Sequence, residues 1–190
     1  MKKITLFATA FALSASAAMA QTWSIDKAHS RIGYTVTHMG ISQSDGNFRN
    51  FDSKISATKD DFSDASVEFS ADVNSINTDN ERRDGHLKSA DFFDAAKYPS
   101  ITFKSKSFKK VGDKKFKVVG DLTFHGVTKP VELDAILNGV ITNPQSKKQV
   151  AGFTITGLIK RADFNFAAGM PATALGENVE LIAHTEFSKD

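Results

Sequence analysis

The chain has no cysteine. That excludes disulfides, thiolate metal sites, a cysteine nucleophile and a lipid-modified N-terminal cysteine. Aromatic residues with a polar handle are scarce, one Trp and two Tyr, and there are only four prolines. No apolar run reaches the ~20 residues that a membrane-spanning helix needs. Catalytic and nucleotide-binding signatures are missing as well: no G-x-S-x-G, H-E-x-x-H, P-loop or G-x-G-x-x-G. The five histidines, His29, His38, His86, His125 and His184, stand at unrelated spacings, so no metal or other cofactor is expected. No low-complexity tract, charge block or repeat divides the sequence, and one domain is the simplest organisation.

What is present begins with Met1-Lys2-Lys3, an apolar run from Ile4 to Leu13, and small residues ending Ala18-Met19-Ala20. A basic start, a short apolar middle and an A-x-A site are the grammar of a secretory signal peptide. Cleavage is expected after Ala20, leaving a domain over 21–190, freely soluble and, in a bacterium, periplasmic. Lys2 and Lys3 leave with the leader, so of 24 basic residues 22 remain, against 22 acidic. A formally neutral domain has no strong electrostatic pull toward nucleic acid, and no nucleic-acid partner is expected.

The dominant periodicity is two. Phe116, Val118, Leu122 and Phe124 share a face with Gly120, opposite Lys115, Lys117 and Asp121. The alternation recurs in Ile32, Tyr34 and Val36, in Val67, Phe69, Ala71 and Val73, in Val131, Leu133, Ala135 and Leu137, and in Val179, Leu181 and Ala183. Shorter candidates lie at 53–58 and 100–108, and 150–160 is apolar on both faces. These are half-buried antiparallel strands. Turns are expected at Gly112-Asp113, Gly126 to Pro130, Asn143-Pro144 and Gly169 to Gly176, with no proline inside a strand. Thr78-x-x-Glu81 has the form of a capping box, so a short helical insertion is expected near 78–96, with Ser89 capping a further turn. About eight such strands form an all-β fold, either a closed barrel or a two-sheet sandwich.

Of 16 phenylalanines, Phe7 and Phe11 belong to the leader, leaving 14 for the domain. They supply an apolar lining with few polar groups. Barrels of ~8 strands are either filled by side chains or hold one small ligand, and both readings stay open here. The inward face would comprise Ile32, Tyr34, Val36, Val67, Phe69, Phe103, Phe116, Val118, Leu122, Phe124, Leu133, Leu137, Phe153, Ile155 and Leu181. Strands of ~10 residues tilted by ~40° give a barrel about 25 Å tall, which suits a slender chain. An outer-membrane barrel would need the opposite arrangement, an apolar outside and a polar lumen.

Arg83-Asp84-Gly85-His86 is the densest polar cluster. It serves either as a head-group contact through Arg83 and His86 or as an ion pair and cap holding the insertion. A hydrolytic His86/Asp84 pair is a third, weaker reading. Arg161 and Asp163 suggest a structural ion pair at a strand end. The lysines from Lys104 to Lys117 form a solvated face that could touch anionic lipid transiently, and a homodimer is compatible with the sequence.

Several stretches also carry a family resemblance. They are Trp23-Ser24-Ile25-Asp26 with His29-Ser30, Val36-Thr37-His38-Met39, Gly46-Asn47-Phe48, and Arg83-Asp84-Gly85-His86-Leu87 leading to Asp91-Phe92-Phe93-Asp94. Tyr98-Pro99-Ser100-Ile101-Thr102-Phe103, Gly120 through Pro130 and Arg161-Ala162-Asp163-Phe164 complete the set. In this order the sequence resembles the YceI-like, polyisoprenoid-binding family of bacterial periplasmic proteins. One departure is Asn165, where the pattern has glycine; Asn also tolerates a left-handed backbone. The resemblance implies a lipocalin-like antiparallel barrel, an elongated cavity, a long-chain isoprenoid or similar amphiphile as partner, and no enzymatic activity. The competing expectation is a non-catalytic exported stress-response or interaction module with a filled core.

Overall fold

Period-two alternation in this sequence produces strands that close on themselves. The structure is a computed structural model that describes residues 19–190; the expected leader lies outside the described residues except for Met19 and Ala20. The strands are β1 (Gln21–Ile25), β2 (Arg31–His38), β3 (Ser42–Phe48), β4 (Phe51–Ala57), β5 (Ser66–Asp72) and β6 (Ile76–Asn77). A short helix, α1 (Glu81–Leu87), precedes β7 (Ser100–Gly112), β8 (Lys115–Phe124), β9 (Val127–Thr142), β10 (Gln149–Lys160) and β11 (Leu175–Lys189). All neighbours are antiparallel, and β1 pairs with both β4 and β11, which closes the barrel and settles it against a sandwich.

Three pairs of short strands, β1/β2, β3/β4 and β5/β6, each follow one path along the wall, so the barrel has eight strand paths. Their breaks lie side by side. Asp26 N donates to Glu186 O at 2.8 Å, Arg49 N to Ser75 O at 3.1 Å, and Asp72 N to Asn50 O at 2.9 Å. Asp26 and Asp72 each accept a backbone N–H two residues on, from Ala28 and Asn74, holding the single 3-10 turns at two of the breaks. These bonds pair backbone groups along this line of breaks, the crease, where the strand ladders are interrupted.

Phe103 and Phe108 are five residues apart yet both buried. A bulge between Ser105 and Ser107 switches the parity of β7, so both rings point inward. Gly120, opposite, has no side chain because a Cβ would run into the Lys104 carbonyl and the Phe103 ring.

Some local expectations are corrected. The β8–β9 turn is only His125-Gly126, with φ of 49° and 73°, and Pro130 lies inside β9. Leu137 N donates to Lys114 O on the β8 side, so by alternation residue 130 would aim its N–H at the other edge. β10 pairs with β9 only as far as Leu133, so no strand needs that donor. In the insertion Asn80, not Thr78, caps α1, its side chain accepting from Arg83 N at 3.0 Å. Thr78 is taken instead by Asp84, whose carboxylate accepts both its N–H and its hydroxyl (2.8 and 2.6 Å). After Leu87 the chain runs in turns rather than a second helix, and the Ser89 hydroxyl caps nothing. Asn165 adopts φ 54°, the left-handed conformation that glycine would supply.

Candidate functional site

The inward faces do not meet in the middle. They enclose a cavity of about 470 Å³, lined from Phe153 and Phe187 at one end to His38 and Arg83 at the other and walled almost entirely by hydrocarbon. The wall comes from alternate residues of opposed strands, among them Val67 and Phe69 of β5, Leu122 and Phe124 of β8, and Leu133 of β9.

One end is closed by aromatic rings in two tiers. Phe153, Phe108 and Phe187 face the cavity. Behind Phe153 stands Phe62, edge-on at 5.2 Å, and behind that Trp23 at 5.1 Å. Behind Phe108 stands Phe116 at 4.8 Å. Phe62 comes from the β4–β5 loop, where it holds a φ of 59°, a costly conformation for a bulky residue. Its burial, nearly complete, offsets that cost by roughly 1.5–3 kcal/mol. Asp64 fixes the loop by accepting from Thr58 N, Thr58 Oγ1 and Lys59 N.

At the other end the insertion and the β10–β11 loop form a partial cover. Phe93 packs among Phe48, Phe124 and Phe166 at 4.8–5.9 Å. The loop is organised by Arg161, buried to 5 % exposure. Its guanidinium donates to five carbonyls, those of Phe166, Ala167, Met170, Leu175 and Gly176, at 2.6–3.4 Å. The expected Arg161–Asp163 ion pair is therefore replaced by a hub of backbone contacts, and Asp163 faces solvent.

Four exposed lining residues, His38, Arg83, His86 and Met170, gather at this covered end and mark the mouth, while Ile182, also exposed, belongs to the β11 wall. Arg83 Nε and Nη2 donate to the Thr78 hydroxyl and carbonyl (2.8 and 2.7 Å). His86 meets the Phe92 ring edge-on at 4.8 Å. The acid and imidazole of the cluster are engaged with different partners, Asp84 with Thr78 and His86 with Phe92, and do not form a catalytic pair. Tyr34 lies beside Gly46, whose missing Cβ leaves room for its phenol. Burial pushes that phenol's pKa up, so it stays a neutral donor.

Of the residues expected inside, Ile32, Tyr34, Val36, Val67, Phe69, Phe103, Val118, Leu122, Phe124, Leu133, Phe153, Ile155 and Leu181 line the cavity, as do Arg83 and His86 at the mouth. Phe116 and Leu137 are buried but lie outside the lining, in the solid end. The interior is thus filled at the end that holds Phe116 and Leu137 and open from there to the mouth. Phe108, Phe93 and Phe166 line the cavity without having been anticipated. The bulge hid Phe108 from a parity count, and the other two sit on segments with no strand alternation.

Outside the barrel, Lys104 pairs with Glu68, Lys106 with Asp121, Lys110 with Asp61, and Lys117 with Glu132 and Asp134. The charged faces look outward, the reverse of an outer-membrane barrel, and among the described residues no helix is long and apolar enough to cross a membrane. Asp26, His29 and Glu186 bring ligand-type atoms within 4.8 Å of one another. Their geometry is explained by the crease: His29 Nδ1 lies 2.8 Å from Asp26 Oδ2. That contact raises the His29 pKa and lowers that of Asp26.

A family model described as a YceI-like domain matches residues 23–187. A UPF0312 protein of Staphylococcus aureus (strain USA300) is 38 % identical over 170 residues, covering 87 % of this chain and 96 % of the relative. The Campylobacter jejuni YCEI protein superposes with a TM-score of 0.74 at 30 % identity, covering 100 % of this chain and 99 % of that one. A polyisoprenoid binding domain from Saccharophagus degradans, implicated in plant cell wall breakdown, shares the fold with a TM-score of 0.65 at 18 % identity, over 88 % of this chain and 98 % of that one. An antiparallel barrel closed by eight strand paths, with one helical insertion and these matches along nearly its whole domain, places the chain in the YceI-like family.

Proposed function

We propose that the protein is an exported, soluble carrier that holds a long-chain isoprenoid lipid, of polyprenyl or quinone type, inside the barrel. The observation that carries this reading is the hydrocarbon-walled cavity, closed by aromatic rings at one end and fringed with polar groups at the other. The tail occupies the interior and the head group stays at the mouth, within reach of Tyr34, Arg83 and His86. The shared fold with a polyisoprenoid binding domain supports this choice of ligand, and the leader-like composition of residues 1–20 supports export to the periplasm.

Burial from water is worth ~0.8 kcal/mol per CH₂, which summed over a long tail approaches the ceiling of observed affinities. The relevant reference is the bilayer, where the tail is already dry. Against that reference the net drive is small, as loading and release require. The mouth is suited to brief contact with a membrane. Met39 (61 % exposed) and Ile41 (87 %) form the β2–β3 tip beside it, and Met170 (37 %) flanks them. Met39 N donates to Ala174 O at 2.9 Å, tying the two loops together.

Transfer between vesicles tests the reading. Donor liposomes carrying a polyprenyl quinone are mixed with empty acceptors, with and without the protein. Faster transfer, and quinone absorbance eluting with the protein, are expected. No acceleration and no co-elution would refute the carrier role.

A further inference from the structure

The closed end of the cavity is built in a way that bears on tail length. An apolar cavity of about 150 Å³ accepts a benzene-sized guest of six carbons. By that measure 470 Å³ encloses about 18 carbons, close to four isoprene units. A tail of eight units has about twice the carbon that fits.

The space ends at a boundary between rings. Phe153 lines it and is only 2 % exposed, while Phe62, directly behind at 5.2 Å, does not line it. Phe108 and Phe116 repeat the arrangement on β7 and β8. Phe62 reaches its place only through a left-handed backbone conformation in a loop pinned by Asp64. The loop therefore holds a bulky ring under the barrel floor against its own backbone preference.

We propose that this aromatic floor, with Phe153 as its upper tier and Phe62 as its stop, sets the tail length that the protein selects, at about four isoprene units. The inference rests on the carrier reading and adds a specificity determinant to it. Each unit up to the floor exchanges bilayer contacts for cavity contacts. Each unit beyond it must leave the mouth into water or displace a packed ring. Removing the Phe153 ring frees about the volume of one five-carbon unit, since ring and unit hold similar numbers of carbons.

The test presents an equimolar ladder of prenyl alcohols, two to eight isoprene units long, in phosphatidylcholine vesicles. Bound species are read by native mass spectrometry. For the unaltered protein, occupancy should peak at about four units and fall roughly ten-fold or more by eight. In Phe153→Ala the peak should move about one unit longer. Phe153→Leu, a milder change, keeps the test informative if the alanine variant folds poorly, and should move the peak in the same direction by less. Leu158→Ser, on the outer wall, should leave the peak in place. A flat profile, a peak at eight units, or an unmoved peak in both Phe153 variants would overturn the floor while leaving the carrier reading intact. No uptake at any length would sink both.

Discussion

Two alanines separate an open interior from a packed one. Ala135 and Ala151 are equally buried, at 2 % and 0 % exposure, on neighbouring strands. Ala135 lines the cavity, whereas Ala151 lies in the solid end. Replacing Ala135 with Leu adds three carbons to vacant apolar space. At ~0.8 kcal/mol per carbon this gains about 2 kcal/mol, less about 0.5–1 kcal/mol for the ordering of the leucine side chain. Ala135→Leu should therefore be more stable by about 1–2 kcal/mol, raising Tm by about 2–4 °C per kcal/mol in a domain of this size. The same substitution at Ala151 enters close-packed space and should cost about 1–3 kcal/mol. Urea unfolding at unchanged m-value reads both effects. Ala135→Leu should also weaken lipid uptake, because it consumes cavity volume. Equal destabilisation by the two substitutions would mean that the interior at Ala135 is already full, and the reasoning would fail.

Loss of the Arg161 hub should unpin the β10–β11 loop. Arg161→Ala abandons five carbonyls and should cost on the order of 3 kcal/mol or more, since hydrogen bonds from a charged donor contribute ~1.5–3 kcal/mol each. Arg161→Lys, a point charge with one reach, should recover only part of this; a variant that unfolds at the unaltered urea midpoint would contradict the hub. Gly120→Ala forces a methyl against the Lys104 carbonyl and the Phe103 ring, and should lower stability by about 1–3 kcal/mol in the same assay. At the crease, Asp26 raises the His29 pKa, so the favourable effect of protonated His29 is present at low pH and is lost as pH rises through the raised value. Asp26, held low, contributes above its ordinary range and loses that contribution on acidification. The pair therefore acts in the mildly acidic window between them. NMR titration should place His29 above the ordinary imidazole value and return it there in Asp26→Asn; an unchanged midpoint in that variant would contradict the coupling.

The walls of the site were legible in the sequence because alternation is a property of single strands. Val67 and Phe69, or Leu122 and Phe124, could be placed on one face from neighbours alone. Closure was not legible, since it depends on β1 pairing at both edges with segments far along the chain. Nor was the division between open and filled interior. Phe116 and Phe124 belong to the same apolar face of β8, yet one lies in the solid end and the other lines the cavity, because depth along the barrel depends on strand register. Strands β1 and β3 were not legible because polar residues dominate them, as in Ser42-Gln43-Ser44-Asp45. Phe62 gave no signal at all, since its role arises from a loop conformation that phenylalanine rarely adopts.

The central claim is that one isoprenoid occupies the barrel, and the intact mass of the protein under native conditions tests it most directly. Produced from its full sequence and purified without detergent, the protein should carry a single additional mass of an isoprenoid lipid, released by organic solvent. Bare polypeptide throughout, with the cavity still empty after incubation with isoprenoid-loaded vesicles, would contradict the account.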